Sequence, residues 1–232
     1  MSANRSRIVL LISGRGSNME AFIHAVNAGS LDAEIAGVIA NRPDALGIET
    51  AAAHGLHTDI VDHKQYPHRE AFDTELAMTV QTLEPDLVVL AGFMRILSPV
   101  FVEPFAGRLL NIHPSLLPKY PGLNTHQRAI DNGDTEAGAT VHYVTTELDG
   151  GPAILQARVP IVAGDSAESL AQRILPLEHQ IYPAAAQLHI SGKLRLVDGR
   201  CALGHELLPD GGLLWPLNTD NDQALRDLRE SS

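Results

Sequence analysis

Asn111 and His113 stand two apart at the end of an apolar run, 108–113, with Pro114 directly after. Alternate side chains of a β-strand point to the same side. Read as a buried strand, the run aims both groups into one cleft at the carboxyl end of a sheet, where open α/β sheets place ligands. An amide N–H and an imidazole N–H directed at one point suit a developing oxyanion. The plainer reading is a structural histidine beside a strand end, and Asn-x-His alone does not separate the two. A carboxylate that could serve the pair is Asp149, in the run Leu148-Asp149-Gly150-Gly151. Such a group could hold His113 protonated and oriented. An aspartate in a turn can equally bond its own backbone, and spacing does not show which.

A second constellation is 13–18, Ser-Gly-Arg-Gly-Ser-Asn, between an apolar run and a helical pattern. Glycines let the backbone turn tightly and expose N–H groups, and a helix N-terminus adds a field that favours phosphate. Gly16, Ser17 and Asn18 supply that start, and the two side chains can donate further hydrogen bonds. The dinucleotide fingerprint is incomplete. Met19 and Glu20 follow where a third glycine is needed, and Asn41 rather than an acidic residue ends the next apolar run. A single phosphate fits better than NAD, and a plain glycine-rich turn is the alternative. His54, His57, His63 and His68 lack the cysteine or carboxylate spacing of a known metal site, so no metal is expected. No Gly-x-Ser-x-Gly elbow is present to suggest a serine nucleophile.

The elements that must position these groups follow from periodicity. Segments 7–12, 34–40, 58–61, 87–92 and 108–113 read as strands, several of them apolar on both faces as in a parallel sheet. Helices are expected from Met19 to Ala28, from a cap at Asp44 to near Gly55, and from Pro67 to Leu83 with Phe72, Leu76 and Val80 on one face. Strands alternating with helices imply an α/β, Rossmann-like fold: a mostly parallel central sheet with helices on both faces. The rhythm then changes. Segment 138–145 alternates like an exposed edge strand, 149–151 is a turn, and 153–161 returns, giving an antiparallel C-terminal extension. A helix capped by Asp165 or Ser166 runs to about Gln187 and should be kinked or broken at Pro176 and Pro183. Segment 193–200 reads as a final edge strand. One domain over 1–232 is expected, ordered from about 7 to 200, with a weakly ordered polar tail over 211–232.

Composition narrows the classes. A net charge of -11 with no Lys/Arg cluster argues against nucleic acid, and 4% aromatic residues argue against a base-stacking platform. The run Ile8 to Ile12 is too short for a signal peptide or a membrane span. The single cysteine, Cys201, cannot form an internal disulfide and fits a reducing cytoplasm. Small-molecule substrates are expected, with no nucleic-acid or membrane partner, on a monomer or homodimer.

Four stretches carry a resemblance: residues 8–25, 90–102, 107–134 and 140–161. Together they resemble the folate-dependent phosphoribosylglycinamide formyltransferases over about Arg7 to Leu196. Asn-Ile-His-Pro-Ser-Leu-Leu-Pro with a downstream Leu-Asp-Gly-Gly marks the wider formyltransferase superfamily. Gly-x-Gly-Ser-Asn and Leu-Leu-Pro-Lys-Tyr-Pro-Gly mark the glycinamide branch. The resemblance implies transfer of a formyl group from 10-formyltetrahydrofolate, a co-substrate, to the amine of glycinamide ribonucleotide, without a metal. It implies that Asn111, His113 and Asp149 are catalytic, with His142 near them. Gly16, Ser17 and Asn18 would hold the substrate phosphate, and Leu175, Pro176, Leu177 and Glu178 the rest of that substrate. Arg69, Met94, Arg95, Ile96, Leu97 and Asn111 would bind folate, with Thr145, Thr146 and Leu148 on a loop closing over the pterin. Methionyl-tRNA formyltransferases are similar but need a further basic domain, and formyltetrahydrofolate hydrolases an extra amino-terminal one. A non-catalytic phosphate-binding module would not need the trio.

Overall fold

The computed structural model describes residues 5–216. Two compact units emerge. One holds the residues up to Ile112 together with Tyr143–Leu148, and the other holds His113–His142 and the residues from Asp149 on.

The first unit alternates strand and helix as its periodicity requires: β1 Ser6–Ile12, α1 Ser17–Asn27, β2 Ala33–Ala40, α2 Gly47–Ala53, β3 Thr58–Ile60, α3 Arg69–Thr82, β4 Leu87–Leu90, α4 Pro99–Val102, then β5 Leu109–His113, whose last residue begins the second unit. The strands lie in the order β5-β4-β1-β2-β3, and every pairing is parallel. Their apolar runs are buried on both faces, as Ile8 to Ile12 and Leu87 to Val89 have no exposed surface. Phe72, Leu76 and Val80 of α3 pack into the core with Val9, Leu11, Val88, Phe101, Phe105 and Leu109. Fully burying a side chain of this size contributes about 1.5–3 kcal/mol, so this stripe fixes the helix to the sheet.

Two helix starts differ from expectation. Asp44 does not cap α2; its carboxylate is paired with Arg42, which holds it down at about 2. Helix α3 begins after Pro67, with His68 as its cap: Nδ1 accepts from the Ala71 N–H at 3.2 Å.

The second unit carries α5 Thr125–Asp131, β6 Glu136–Tyr143 up to His142, β7 Ala153–Pro160, α6 Ala167–Ile190, β8 Leu194–Val197, β9 Arg200–Leu203, β10 Glu206–Leu207 and β11 Leu213–Trp215. Strands β6 and β7 are antiparallel, β7 and β11 parallel, and β8, β9 and β10 make a separate small antiparallel sheet. The fold is a mostly parallel, Rossmann-like sheet with helices and an antiparallel C-terminal extension.

Four expectations change here. Strand β6 is not exposed: only Glu136 of its eight residues is on the surface. Its polar positions alternate inward because they are satisfied there, as Thr140 Oγ1 accepts from the Leu117 N–H and from Gln156 Nε2 at 3.0 Å each and donates to Ser115 O at 2.7 Å. Helix α6 runs unbroken through both prolines. A reciprocal Ser166–Ser169 capping box starts it, and Asp165, bonded to Ser169 and Arg173, braces its first turns. Segment 193–200 is a hairpin rather than one strand, because Asp198 and Gly199 both take positive φ, 49° and 76°, as a two-residue turn requires. Finally, 213–215 form β11, whose Trp215 indole N–H reaches Gln180 Oε1 at 3.3 Å. The remainder of the expected weak tail, 217–232, lies outside the described residues. No helix among the described residues is long and apolar enough to cross a membrane.

Candidate active site

The loop between β1 and α1 is shaped by Gly16, which sits in the left-handed region at φ 81° and caps α1. Ser17, on the surface, and Asn18, buried, are the first residues of the helix. The loop is braced from outside by Gly47, whose N–H bonds Gly14 O at 3.0 Å. A Cβ on Gly47 would come within 2.6 Å of Ile12 Cδ1 and 3.1 Å of the Gly14 and Arg15 carbonyl oxygens, so the bare backbone eases this approach. A tight glycine loop running into a helix N-terminus exposes backbone N–H groups in a field that favours an anion.

Beyond β4 the chain leaves the sheet at Gly92 and crosses as Phe93–Ser98. Phe93 and Leu97 point inward, 8% and 9% exposed, while Met94 and Ile96 point outward, 79% and 59% exposed. Arg95 lies over the Phe72 ring, 5.0 Å from its centroid. The segment thus leaves two apolar side chains on the surface, on either side of Arg95 in the sequence. Asn111 pairs in register with Leu90, the last residue of β4, one strand away from where this segment begins. Arg69 is exposed at the first turn of α3, 4.0 Å from Glu70. Thr145, Thr146 and Leu148 lie on an exposed loop after β6.

His113 closes β5 and is 6% exposed. Its Nε2 donates to Tyr120 O at 2.9 Å, and its Nδ1 lies 3.5 Å from Asp149 Oδ2. Nε2 is thus committed to a hydrogen bond, while Nδ1 faces the carboxylate at ion-pair distance. Asp149 is the residue that sequence spacing left open. It adopts φ 51°, yet its carboxylate accepts from the distant Gly122 N–H at 2.8 Å and lies 4.0 Å from His142 Nε2. The structure brings together His113, Asp149 and His142.

The bridge between them, 114–122, went unread as a positioning device. Ser115 Oγ donates to Lys119 O at 2.6 Å, and Tyr120 Oη donates to Asp134 at 2.9 Å. Lys119 Nζ lies 3.0 Å from the same carboxylate, whose ionised form it favours. These ties present Tyr120 O to His113 and the Gly122 N–H to Asp149. His126 of α5 was also missed. Burial, and then the charge of His113, push its pKa down.

Leu175, Pro176, Leu177 and Glu178 follow one another along α6, Leu175 and Pro176 exposed and the other two half-buried. Of the four histidines weighed as metal ligands, three have other work: His68 caps α3, His63 Nδ1 bonds Asn41 O at 2.7 Å, and His54 ends α2. Among the described residues no group of three or more His, Cys, Asp or Glu gathers in the manner of a metal site. Burial pushes the Cys201 thiol up to about 12, which makes it a poor nucleophile.

A family model described as formyl transferase matches residues 6–186. The chain is 49% identical over 205 residues to the phosphoribosylglycinamide formyltransferase of Escherichia coli (strain K12), covering 88% of this chain and 97% of that one. The enzyme of the same name from Haemophilus influenzae is 45% identical over 206 residues, with 89% and 97% covered. Among solved structures, the phosphoribosylglycinamide formyltransferase of Coxiella burnetii superposes with a TM-score of 0.87 at 45% identity, covering 92% of this chain and all of that one.

Proposed function

We propose, because the chain belongs to the formyl transferase family, that it moves the formyl group of 10-formyltetrahydrofolate onto the amine of 5-phosphoribosylglycinamide, in purine biosynthesis. The observation that carries this reading is His113 at the end of β5, two residues after Asn111, with Asp149 3.5 Å from its ring. The match to one family model runs through both compact units, which supports a single formyltransferase domain.

The acceptor must attack as a neutral amine. An α-amino group titrates at about 7.7–8.0, so a usable fraction is free near neutrality. Its lone pair adds to the formyl carbon, and the carbonyl oxygen takes up negative charge. Asn111 contributes an amide N–H to that oxygen. With Nε2 committed to Tyr120 O, Nδ1 is the His113 nitrogen assigned to it. One such donor is worth about 2.7–4 kcal/mol in the transition state. The new ammonium then loses a proton, carried by His113 or by water ordered at Asp149, to the departing folate nitrogen. The carbon–nitrogen bond to folate breaks, giving the N-formyl product and tetrahydrofolate. No covalent enzyme intermediate and no metal enters these steps.

Gly16, Ser17 and Asn18 take the substrate phosphate, and Leu175, Pro176, Leu177 and Glu178 the glycinamide end. Met94, Arg95, Ile96, Leu97 and Asn111 take the folate ring, with Thr145, Thr146 and Leu148, while Arg69 draws the carboxylate tail. We assign the protein to the cytoplasm, as a monomer or homodimer acting on small molecules. The test is an optical assay of folate product with and without glycinamide ribonucleotide. Turnover that requires the ribonucleotide supports the reading. Folate consumption without it points to a hydrolase, and binding without turnover to a non-catalytic module.

A further inference from the structure

The segment that carries Met94 and Ile96 has no regular structure of its own: it leaves β4 at Leu90 and is irregular until α4. Such a stretch needs external ties to hold two exposed apolar side chains in place. It has one at each end. At the start, the Met94 N–H donates to Ser13 Oγ at 2.8 Å. Ser13 is 8% exposed and is the first residue after β1, directly before the glycine loop. At the far end, the Ser98 N–H donates to Asp73 Oδ2 at 2.6 Å. Asp73 has no exposed surface and sits on the inner face of α3 beside Phe72, the ring that underlies Arg95. Ser98 caps α4 without a side-chain hydrogen bond of its own, so the Asp73 carboxylate holds the entry to that helix. A buried carboxylate on an apolar helix face is costly unless it is hydrogen-bonded, and the Ser98 N–H supplies such a bond.

We propose that Ser13 and Asp73 are positioning residues that clamp the two ends of the Met94–Leu97 segment and so set the folate slot. The proposal rests on the assignment of that segment to folate. Ser13 also ties the folate segment to the loop assigned to the ribonucleotide phosphate, so the two substrate sites share one hydrogen bond.

The experiment measures folate Kd by calorimetry and both KM values for Ser13→Ala, Ser13→Thr, Asp73→Ala, Asp73→Asn and Ile96→Ala, with a melting curve for each. A lost buried hydrogen bond predicts folate binding weaker by up to about tenfold in Ser13→Ala. Ser13→Thr keeps the hydroxyl and should restore most of it. Asp73→Asn keeps an acceptor for the Ser98 N–H and should bind folate better than Asp73→Ala. In each alanine variant the folate KM should rise more than kcat falls. Should Asp73→Ala fail to fold, the Ser13 pair and Asp73→Asn still decide the matter. Folate affinity reduced in Ile96→Ala but unchanged in Ser13→Ala overturns the clamp alone. Folate affinity unchanged in Ile96→Ala overturns the folate assignment and the clamp with it.

Discussion

Replacing Asp149 by Asn separates its electrostatic role from its role as a loop tie. The side chain keeps its size and one carbonyl oxygen, so the Gly122 N–H, 2.8 Å from Oδ2, can still be accepted. A hydrogen bond to a charged partner contributes about 1.5–3 kcal/mol and a neutral one about 0.5–1.5. Stability should therefore fall by about 1 kcal/mol, which in a chain of this size lowers the melting temperature by about 2–4 °C. The catalytic effect is larger. Nδ1 of His113 loses the negative charge 3.5 Å away, and the water-borne proton path loses its anchor. If His113 ceases to act as a donor to the oxyanion, the loss is about 2.7–4 kcal/mol, or a kcat reduced on the order of 100- to 1,000-fold. Both substrates should still bind, since Asp149 is assigned no contact with either phosphate or pterin. The assay is steady-state turnover with folate and ribonucleotide each varied, alongside calorimetric binding of both and a melting curve. A variant with the small melting shift but near wild-type kcat would refute the argument, and Asp149 would be a loop tie only.

Three further outcomes follow from the same geometry. Asn18→Asp places negative charge at the start of α1 and should raise KM for glycinamide ribonucleotide at least tenfold, with folate KM little changed; equal weakening of both would count against a phosphate role. His126 should titrate below the ordinary imidazole range, and in His113→Asn its titration, followed by NMR, should move upward while staying low, because the charge repulsion is gone and the burial remains. Arg173 and its hydrogen-bonding neighbours hold Asp165 down at about 2 against an ordinary 3.8, so the stability it contributes is present above about 3.8 and is lost as pH falls toward 2; the melting difference between wild type and Asp165→Asn should be constant from pH 7 to 5 and shrink between pH 4 and 2.

Much of this was legible in local pattern. The parallel strands announce themselves as runs of Ile, Val and Leu, and Asn111 and His113 share a strand side by simple alternation. What failed was whatever depends on a distant partner. Thr140 and His142 made β6 look like an exposed edge, yet Thr140 is buried because Ser115, Leu117 and Gln156 satisfy its hydroxyl. Asp44 looked like a helix cap, but Arg42 two residues earlier competes for its carboxylate. The prolines of α6 looked like breaks, yet Pro183 has its ring in the core and the helix continues past it. The Asp198-Gly199 turn carried a local signal that went unused. Ser13 and Asp73 carried none, since each acts on a backbone N–H far along the chain.

The same distinction explains how the His113–Asp149 pair is built. Neither residue is held by its own element alone: His113 ends a strand, and Asp149 sits in a loop at positive φ. Both are referred to one intervening segment, through Tyr120 O and the Gly122 N–H. That segment is irregular, and side chains brace it: Asp134 binds Lys119 and Tyr120 together, and buried Thr140 holds Ser115 and Leu117. Arg128 adds a second hold, bonding Pro121 O at 2.6 Å while lying over the Tyr120 ring. The pair is therefore held through polar contacts, surface ones at Asp134 and Arg128 and buried ones at Thr140. Because α5 and the turn after it carry both Arg128 and Asp134, a substitution of either is expected to reach the imidazole through Tyr120 O without touching it.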